Sequence, residues 1–202
     1  MTPEFSLKNI VEALLLSSEE PLSPDKLYKI ISNKEEITKA EVLEAIKNLE
    51  NDYTSKEIEI TRVASGYRIQ AKKSINDYLN IIFAEKTPRY SRALMETLSI
   101  IAYKQPVTRG DIEAIRGVSV SSSIMRTLSD RNWIKIIGYR DVPGKPAMFS
   151  TTSEFLNYFG LKRLDELPEL PEIQEPKNLD LELKDKPKNK NKDETIPESM
   201  LN

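Results

Sequence analysis

Three apolar-faced stretches follow one another near the start of the chain, and the same order returns further on. The spacing predicts a helix over about Ser6–Ser18, then a proline turn, then a second helix opened by Ser23 as N-cap with Pro24 at its first position, where a missing N–H does no harm. From Lys39 to Asp52, Val42, Ala45, Ile46 and Leu49 are spaced for one buried face, and Thr38 with Glu41 makes a capping box. The period then switches from helical to two. Ile58, Ile60 and Arg62 alternate with Glu57, Glu59 and Thr61, Ser65-Gly66 supplies a tight turn, and Tyr67-Arg68-Ile69-Gln70 returns.

The second round runs from Ser91. A helix is expected over Ser91–Tyr103. Gln105-Pro106 ends it, because proline disfavours the helical region in the residue before it. Thr108 caps the next helix with Asp111 three residues on, and Gly117 stops it. A third helix is expected over Ser119–Asp130. A strand over Trp133–Tyr139, a turn at Asp141–Pro146 and a return over Ala147–Thr151 complete the set. The two rounds align residue by residue. At an offset of 85, Leu15 and Leu16 meet Ile100 and Ile101, Pro21 meets Pro106, Ser23 meets Thr108, Leu27 meets Ile112 and Ile30 meets Ile115; at an offset of 79, Ile46 and Leu49 meet Met125 and Leu128. The six extra residues of the first copy fall in the polar stretch around Ser32–Glu36, where a loop absorbs them at little cost.

Three helices and a hairpin, twice, describe two tandem winged-helix domains, mainly α with small β-wings. The expected bounds are 1–86 and 87–167, with a linker at Thr87-Pro88-Arg89. Ser74–Phe83 reads as one more helix, capped by Ser74, with Tyr78, Leu79, Ile82 and Phe83 on one apolar face. "SEFLNYFG" after Thr152 reads as a short helix that packs Phe155, Leu156 and Phe159. From Pro168 to Asn202 the chain is rich in Pro, Lys, Asn and Glu, and a disordered tail is expected.

Composition narrows the function. The 202 residues include no Cys and no His, which removes disulfides, thiolate metal sites, His-based triads and the usual zinc sites. No cofactor or metal is expected. No apolar run approaches the ~18 residues of a membrane span, and no secretory signal pattern opens the chain, so a cytoplasmic protein is expected. Net charge is −2, but residues 87–152 carry ten basic and five acidic side chains, which makes the middle mildly basic. "GYRDVPGKP" has one residue too many between its glycines for a phosphate loop, and Pro146 stands where Ser or Thr should bind a metal; it reads as a wing turn. No pair of carboxylates is marked as catalytic, and an enzyme is not expected. The core is expected to take Ile101, Ala102, Ile112 and Ile115. Tyr103, Lys104, Gln105, Arg109 and Arg116 then remain for function.

"SRALMETLSIIAYKQPVTRGDIEAIRGV" and "RDVPGKPAMFSTTSEFLNYFGLKRLDELPELPEI" closely resemble the segregation and condensation protein B family (ScpB), as do "IVEALLLSSEEPLSPDKL" and "VASGYRIQAK". The resemblance spans about residues 6–173. It departs locally after Gly117, where "VSVSSSIMRTL" is richer in Ser than the family's Asn/Asp-Ser pattern. The resemblance implies a tandem winged-helix, non-enzymatic subunit of the bacterial SMC–kleisin complex. Such a subunit is a homodimer that binds the kleisin subunit (ScpA), and through it the SMC ATPase, to support chromosome condensation and segregation at the nucleoid. Dimerisation is expected through residues 1–86, where Leu14, Leu15, Leu16 and Leu22 look surplus to one small core. Kleisin docking is expected on residues 87–167, with Tyr103, Gln105, Arg109 and Arg116 as candidates and one kleisin per dimer. The alternative is a winged-helix transcriptional regulator. Its recognition helix should offer several Arg, Lys, Asn or Gln side chains, yet Ser119–Asp130 offers Arg126 alone, and Lys39–Asp52 mixes Lys39 and Lys47 with Glu41, Glu44 and Glu50. DNA contact is therefore expected to be weak or indirect.

Overall fold

Helix caps do much of the local specification. In a computed structural model, which describes residues 6–83 and 90–170, Ser23 accepts a hydrogen bond from the Lys26 amide at 3.1 Å and opens α2 (Pro24–Ile31). Thr38 accepts from the Glu41 amide at 3.3 Å while the Glu41 carboxylate accepts from the Thr38 amide at 2.7 Å, which closes the expected capping box of α3 (Lys39–Asp52). Ahead of both lies α1 (Leu7–Ser17). An antiparallel hairpin of β1 (Ile58–Val63) and β2 (Gly66–Ala71) follows, in register Ile60 opposite Ile69. A 3-10 turn, Lys73–Ile75, leads into α4 (Asn76–Phe83). Ser74 does not cap this helix; its hydroxyl donates to the Glu57 carboxylate at the start of the hairpin.

The second half repeats the order. It comprises α5 (Arg92–Lys104), β3 (Val107–Thr108), α6 (Arg109–Arg116), α7 (Ser122–Asp130), β4 (Ile134–Tyr139) and β5 (Ala147–Thr151). It ends with α8 (Ser153–Phe159) and a turn at Leu164–Glu166. The third helix starts later than its periodicity suggests, because Ser121 acts as N-cap and accepts from the Ile124 amide at 3.3 Å. The architecture is two tandem winged helices, mainly α with small β-wings.

Each half also adds to its hairpin a backbone pairing that the sequence pattern did not announce, a single bridge in the first and a two-residue strand in the second. Leu22 and Tyr67 exchange both backbone hydrogen bonds, each at 2.9 Å. The equivalent Val107 and Thr108 pair with Phe149 and Met148, so that β5 lies between β3 and β4. One or two residues are too few to show an alternation. Gly66 makes the first pairing possible. Its φ is +142°, and a Cβ placed there would lie 2.3 Å from the Leu22 carbonyl carbon and oxygen.

Each half encloses its own core. Val11, Leu15, Leu22, Leu27, Ile31, Val42 and Leu49 fill the first; Leu98, Ile101, Ile112, Val120, Leu128, Trp133 and Phe155 fill the second. Each such side chain taken fully out of water stabilises by roughly 1.5–3 kcal/mol before entropy is counted. Two sequence expectations fail here. Leu14, Leu15 and Leu22 are not surplus: Leu15 and Leu22 are core and Leu14 packs against it, leaving only Leu16 well exposed. Ile115 is not core either. It is 54% exposed, because helical phase puts Ile112 and Arg116, one turn apart, on the inner face.

The described residues up to Leu167 form one compact unit, and a polar contact ties its two halves. The tip of the first wing meets α8. Asn157, 5% exposed, accepts from the Ser65 amide at 3.0 Å and donates from Nδ2 to Ser65 Oγ at 2.9 Å. Arg68 Nη1 donates to the Asn157 carbonyl at 2.9 Å, and the Ala64 amide to the Leu161 carbonyl at 3.0 Å. The expected linker Thr87-Pro88-Arg89 lies outside the described residues, as does the expected tail apart from Pro168–Leu170.

Candidate partner-binding surface

The four candidates on the second half divide into two kinds. Gln105, at the end of α5, is half-buried and bonded on both ends. Its Oε1 accepts from Ser150 Oγ at 2.5 Å, from the Thr151 amide at 2.7 Å and from Thr151 Oγ1 at 3.0 Å; its Nε2 donates to the Ala102 carbonyl at 3.2 Å. The side chain thereby ties α5 to β5. Arg109, at the start of α6, donates from Nε to Glu113 at 3.1 Å, from Nη1 to Ser122 Oγ at 3.3 Å and from Nη2 to the Val120 carbonyl. It staples α6 to the loop that leads into α7. Glu113 completes the staple by accepting from the Val120 amide at 2.9 Å. That bond, then the one from Arg109, lowers its pKa.

Tyr103 is half-buried and packs against the second core. Arg116 is the unusual member. Its side chain is only 9% exposed, Nη2 donates to Glu96 Oε2 at 3.3 Å, and Nε is buried without an acceptor. Glu96 also accepts from Arg92 Nε at 2.8 Å, and the two guanidinium groups, Arg92 first, hold its carboxyl below the usual range.

Around Arg116 the surface opens into a groove of about 540 Å³, lined from α5 by Arg92, Met95, Glu96, Ser99 and Ile100 and from α6 by Ile115 and Arg116. Of the four expected residues, Arg116 alone lines it; Gln105 and Arg109 lie elsewhere in bonds within the chain. Sequence reasoning passed over Met95, Ser99 and Ile100 and placed Ile115 in the core. The repeat held the missing signal: at the offset of 85, Arg116 stands on Ile31, which is 4% exposed.

Close by, Asp111 serves two masters. Its carboxylate accepts from Arg140 Nη1 at 2.9 Å and Nη2 at 2.6 Å, and also from the Thr108 amide at 2.8 Å. The forked bond from Arg140, then the amide, holds its pKa down to about 2. This pairing fixes the wing to α6.

The first half shows a different surface. No residue of α4 is buried; Tyr78, Ile81 and Ile82 are 71, 79 and 69% exposed and Phe83 is half exposed. The helix packs mainly on the 3-10 turn before it. On the helices a DNA reader would use, Arg126 of α7 lies 3.6 Å from Asp130, and Lys39 at the start of α3 lies 2.5 Å from Asp25. Among the described residues, no group of three or more acidic side chains is arranged to hold a metal ion, and no helix is long and apolar enough to cross a membrane.

Comparison with known proteins places this arrangement. A family model described as the segregation and condensation complex subunit ScpB matches residues 9–170. A segregation and condensation protein B homolog of Coxiella burnetii is 45% identical over 170 residues, covering 84% of this chain and 81% of that protein. Among solved structures, ScpB from Mycobacterium tuberculosis is 31% identical over 77% of this chain and 95% of its own, with a TM-score of 0.35. A dimer of an ScpB N-terminal domain complexed with a ScpA peptide is 24% identical over 42% of this chain and 91% of its own, with a TM-score of 0.33.

Proposed function

The chain belongs to the family of the segregation and condensation complex subunit ScpB, and we propose that it acts as a non-enzymatic accessory subunit of the SMC–kleisin complex: a nucleoid-associated cytoplasmic homodimer that binds the kleisin subunit. The division of labour proposed here gives dimerisation to residues 1–86 and kleisin docking to residues 87–167. The observation that carries the reading is α4. Tyr78, Ile81, Ile82 and Phe83 together leave roughly 500 Å² of apolar surface in water, in the upper part of the range for the largest, often functional, patch on a single domain. Asp77 is the sole charge on the helix, so the patch matches a second copy of itself across a two-fold axis without like-charge repulsion. Paired in this way, it would bury about 1,000 Å², the least a biological interface is expected to clear, so further surface of the first half must join it to reach the roughly 1,200–2,000 Å² of a standard interface. On the second half, Arg116 lines the groove assigned to docking, while Tyr103 packs against the core beneath it and Gln105 and Arg109 hold the helices in place.

Light scattering on the full chain tests the dimer. The wild type is expected at twice 23.1 kDa, and Ile81→Lys with Ile82→Lys at the single mass with an unchanged circular dichroism spectrum. A monomeric wild type at tens of micromolar overturns the reading.

A further inference from the structure

The internal repeat sets a carboxylate in one half against a cavity in the other. In the second half the junction of wing and helix is closed within the chain. Thr108 caps α6, Asp111 stands at its third position, and Arg140 forks onto that carboxylate at 2.9 and 2.6 Å. In the first half Ser23 caps α2 in the place of Thr108, but the third position is Lys26. Asp25, the acidic residue of α2, turns away to Lys39 at 2.5 Å. No carboxylate of α2 is left to close this junction.

It is open instead. A cavity of about 460 Å³ lies between Ser23, the first wing and the segment after α8. Three cations line it: Arg62 from β1, and Lys162 and Arg163 from that segment. Among the described residues Arg62 and Lys162 lie in no ion pair; the Arg62 guanidinium rests 6.0 Å from the centre of the Tyr67 ring. Arg163 pairs with Asp165 at 3.1 Å, but both side chains are largely exposed, and such a pair is weak. Glu166 also lines the cavity, yet its carboxylate is engaged by the Lys162 amide at 2.7 Å. The walls are fixed, because the Ala64 amide donates to the Leu161 carbonyl at 3.0 Å and the Ser65 amide to Asn157 Oδ1 at 3.0 Å. Like charges gathered around an open space repel one another unless an anion sits among them.

We infer that this cavity binds a phosphate group carried by a small molecule. A single carboxylate such as Asp111 is matched by a single arginine. Two guanidinium groups and an ammonium match the higher charge and the three acceptor oxygens of a phosphate. The volume falls in the range of small-ligand sites, roughly 300–1,000 Å³. A DNA backbone is the poorer fit, since it calls for a continuous basic face, whereas these cations surround a recess with Asp165 and Glu166 beside them. The bound phosphate bridges Arg62 of the first half and Lys162 of the second, so occupancy strengthens the seam that Asn157 makes.

The test titrates the full chain with inorganic pyrophosphate in a calorimeter at fixed ionic strength, with thermal melting beside it. Saturable binding is expected, with a higher melting temperature in its presence. Arg62→Ala and Lys162→Ala change exposed side chains; each is expected to melt as the wild type without ligand and to bind at least tenfold more weakly. Lys26→Asp rebuilds the carboxylate of the second half. It is expected to fill the site from within, melting at or above the wild-type temperature and losing pyrophosphate affinity to the same extent. A wild type without saturable binding overturns the inference, and so does an affinity that none of the three variants changes. Binding of a short DNA duplex that Arg62→Ala and Lys162→Ala abolish, with pyrophosphate inert, assigns the cations to a nucleic-acid surface and overturns it too.

Discussion

Replacing Gln105 with alanine separates a structural tie from a docking contact. Four hydrogen bonds disappear with the side chain, but they do not weigh equally. The hydroxyls of Ser150 and Thr151 rotate to other acceptors; Ser150 Oγ already lies 3.4 Å from the Thr151 carbonyl. The Thr151 amide cannot rotate. It sits in a residue 7% exposed, on the inner strand β5, and Gln105 Oε1 is its acceptor at 2.7 Å. A buried amide left without a partner costs roughly 1–3 kcal/mol. The lost packing of a half-buried stem adds a few tenths, so Gln105→Ala is expected to destabilise by about 2 kcal/mol. For a chain of this size that lowers the melting temperature by roughly 4–8 °C. Urea unfolding with an unchanged slope is the assay, followed by calorimetric titration with the kleisin subunit well below the melting point. The affinity is expected to stay within about twofold, because every bond of Gln105 ends within the chain. A variant as stable as the wild type that binds ten times more weakly refutes the reasoning and returns Gln105 to the docking surface.

Three further outcomes follow from the same geometry. Asp111, with its pKa held to about 2 against an ordinary 3.8, stabilises the fold above roughly pH 4, and its contribution is lost as pH falls toward 2. At this partly exposed position that contribution is about 1 kcal/mol, and the gap between wild type and Asp111→Asn in acid unfolding is expected to shrink over that window. Asn157→Ala leaves the Ser65 amide without its acceptor, and calorimetry is expected to show the single wild-type transition split as the two cores uncouple; one unsplit transition at the wild-type temperature argues against the tie. Gly66→Ala drives a Cβ into the Leu22 backbone and breaks the two bonds of the Leu22–Tyr67 bridge, with an expected loss of about 3 kcal/mol in chemical denaturation; a loss below about 1 kcal/mol contradicts the close approach.

The caps made the fold legible. Ser23, Thr38 and Thr108, read as caps from the sequence, each accept an amide bond at the start of a helix, because such bonds are local enough to be read from a few residues; Ser91 and Thr152 do the same without having been read so. Phase was harder. Ile115 looked like core because it is isoleucine, yet Ile112 already sets the inner face, and one turn on that face is Arg116. An arginine is not counted as apolar, so the pattern seemed to end one residue early. The single bridge at Leu22 and the two-residue strand at Val107 leave no periodic trace at all. The α4 face was read correctly as apolar, with Tyr78 and Ile82 on it, but sequence alone gives no partner for a helix. Its exposure emerged only once both cores were seen to close without it. The candidate surface was legible in part for the same reason. The helix–turn–helix was found, but which of its polar side chains are consumed within the chain depends on contacts such as Gln105 with Thr151, 46 residues apart.

The central claim is that this chain is a dimeric kleisin-binding subunit, and the mass of its complex tests it most directly. Size-exclusion chromatography with light scattering, on the full chain mixed with excess kleisin subunit, is expected to give one species of two 23.1 kDa chains and one kleisin. Separate peaks for a monomeric chain and an unbound kleisin would contradict the account.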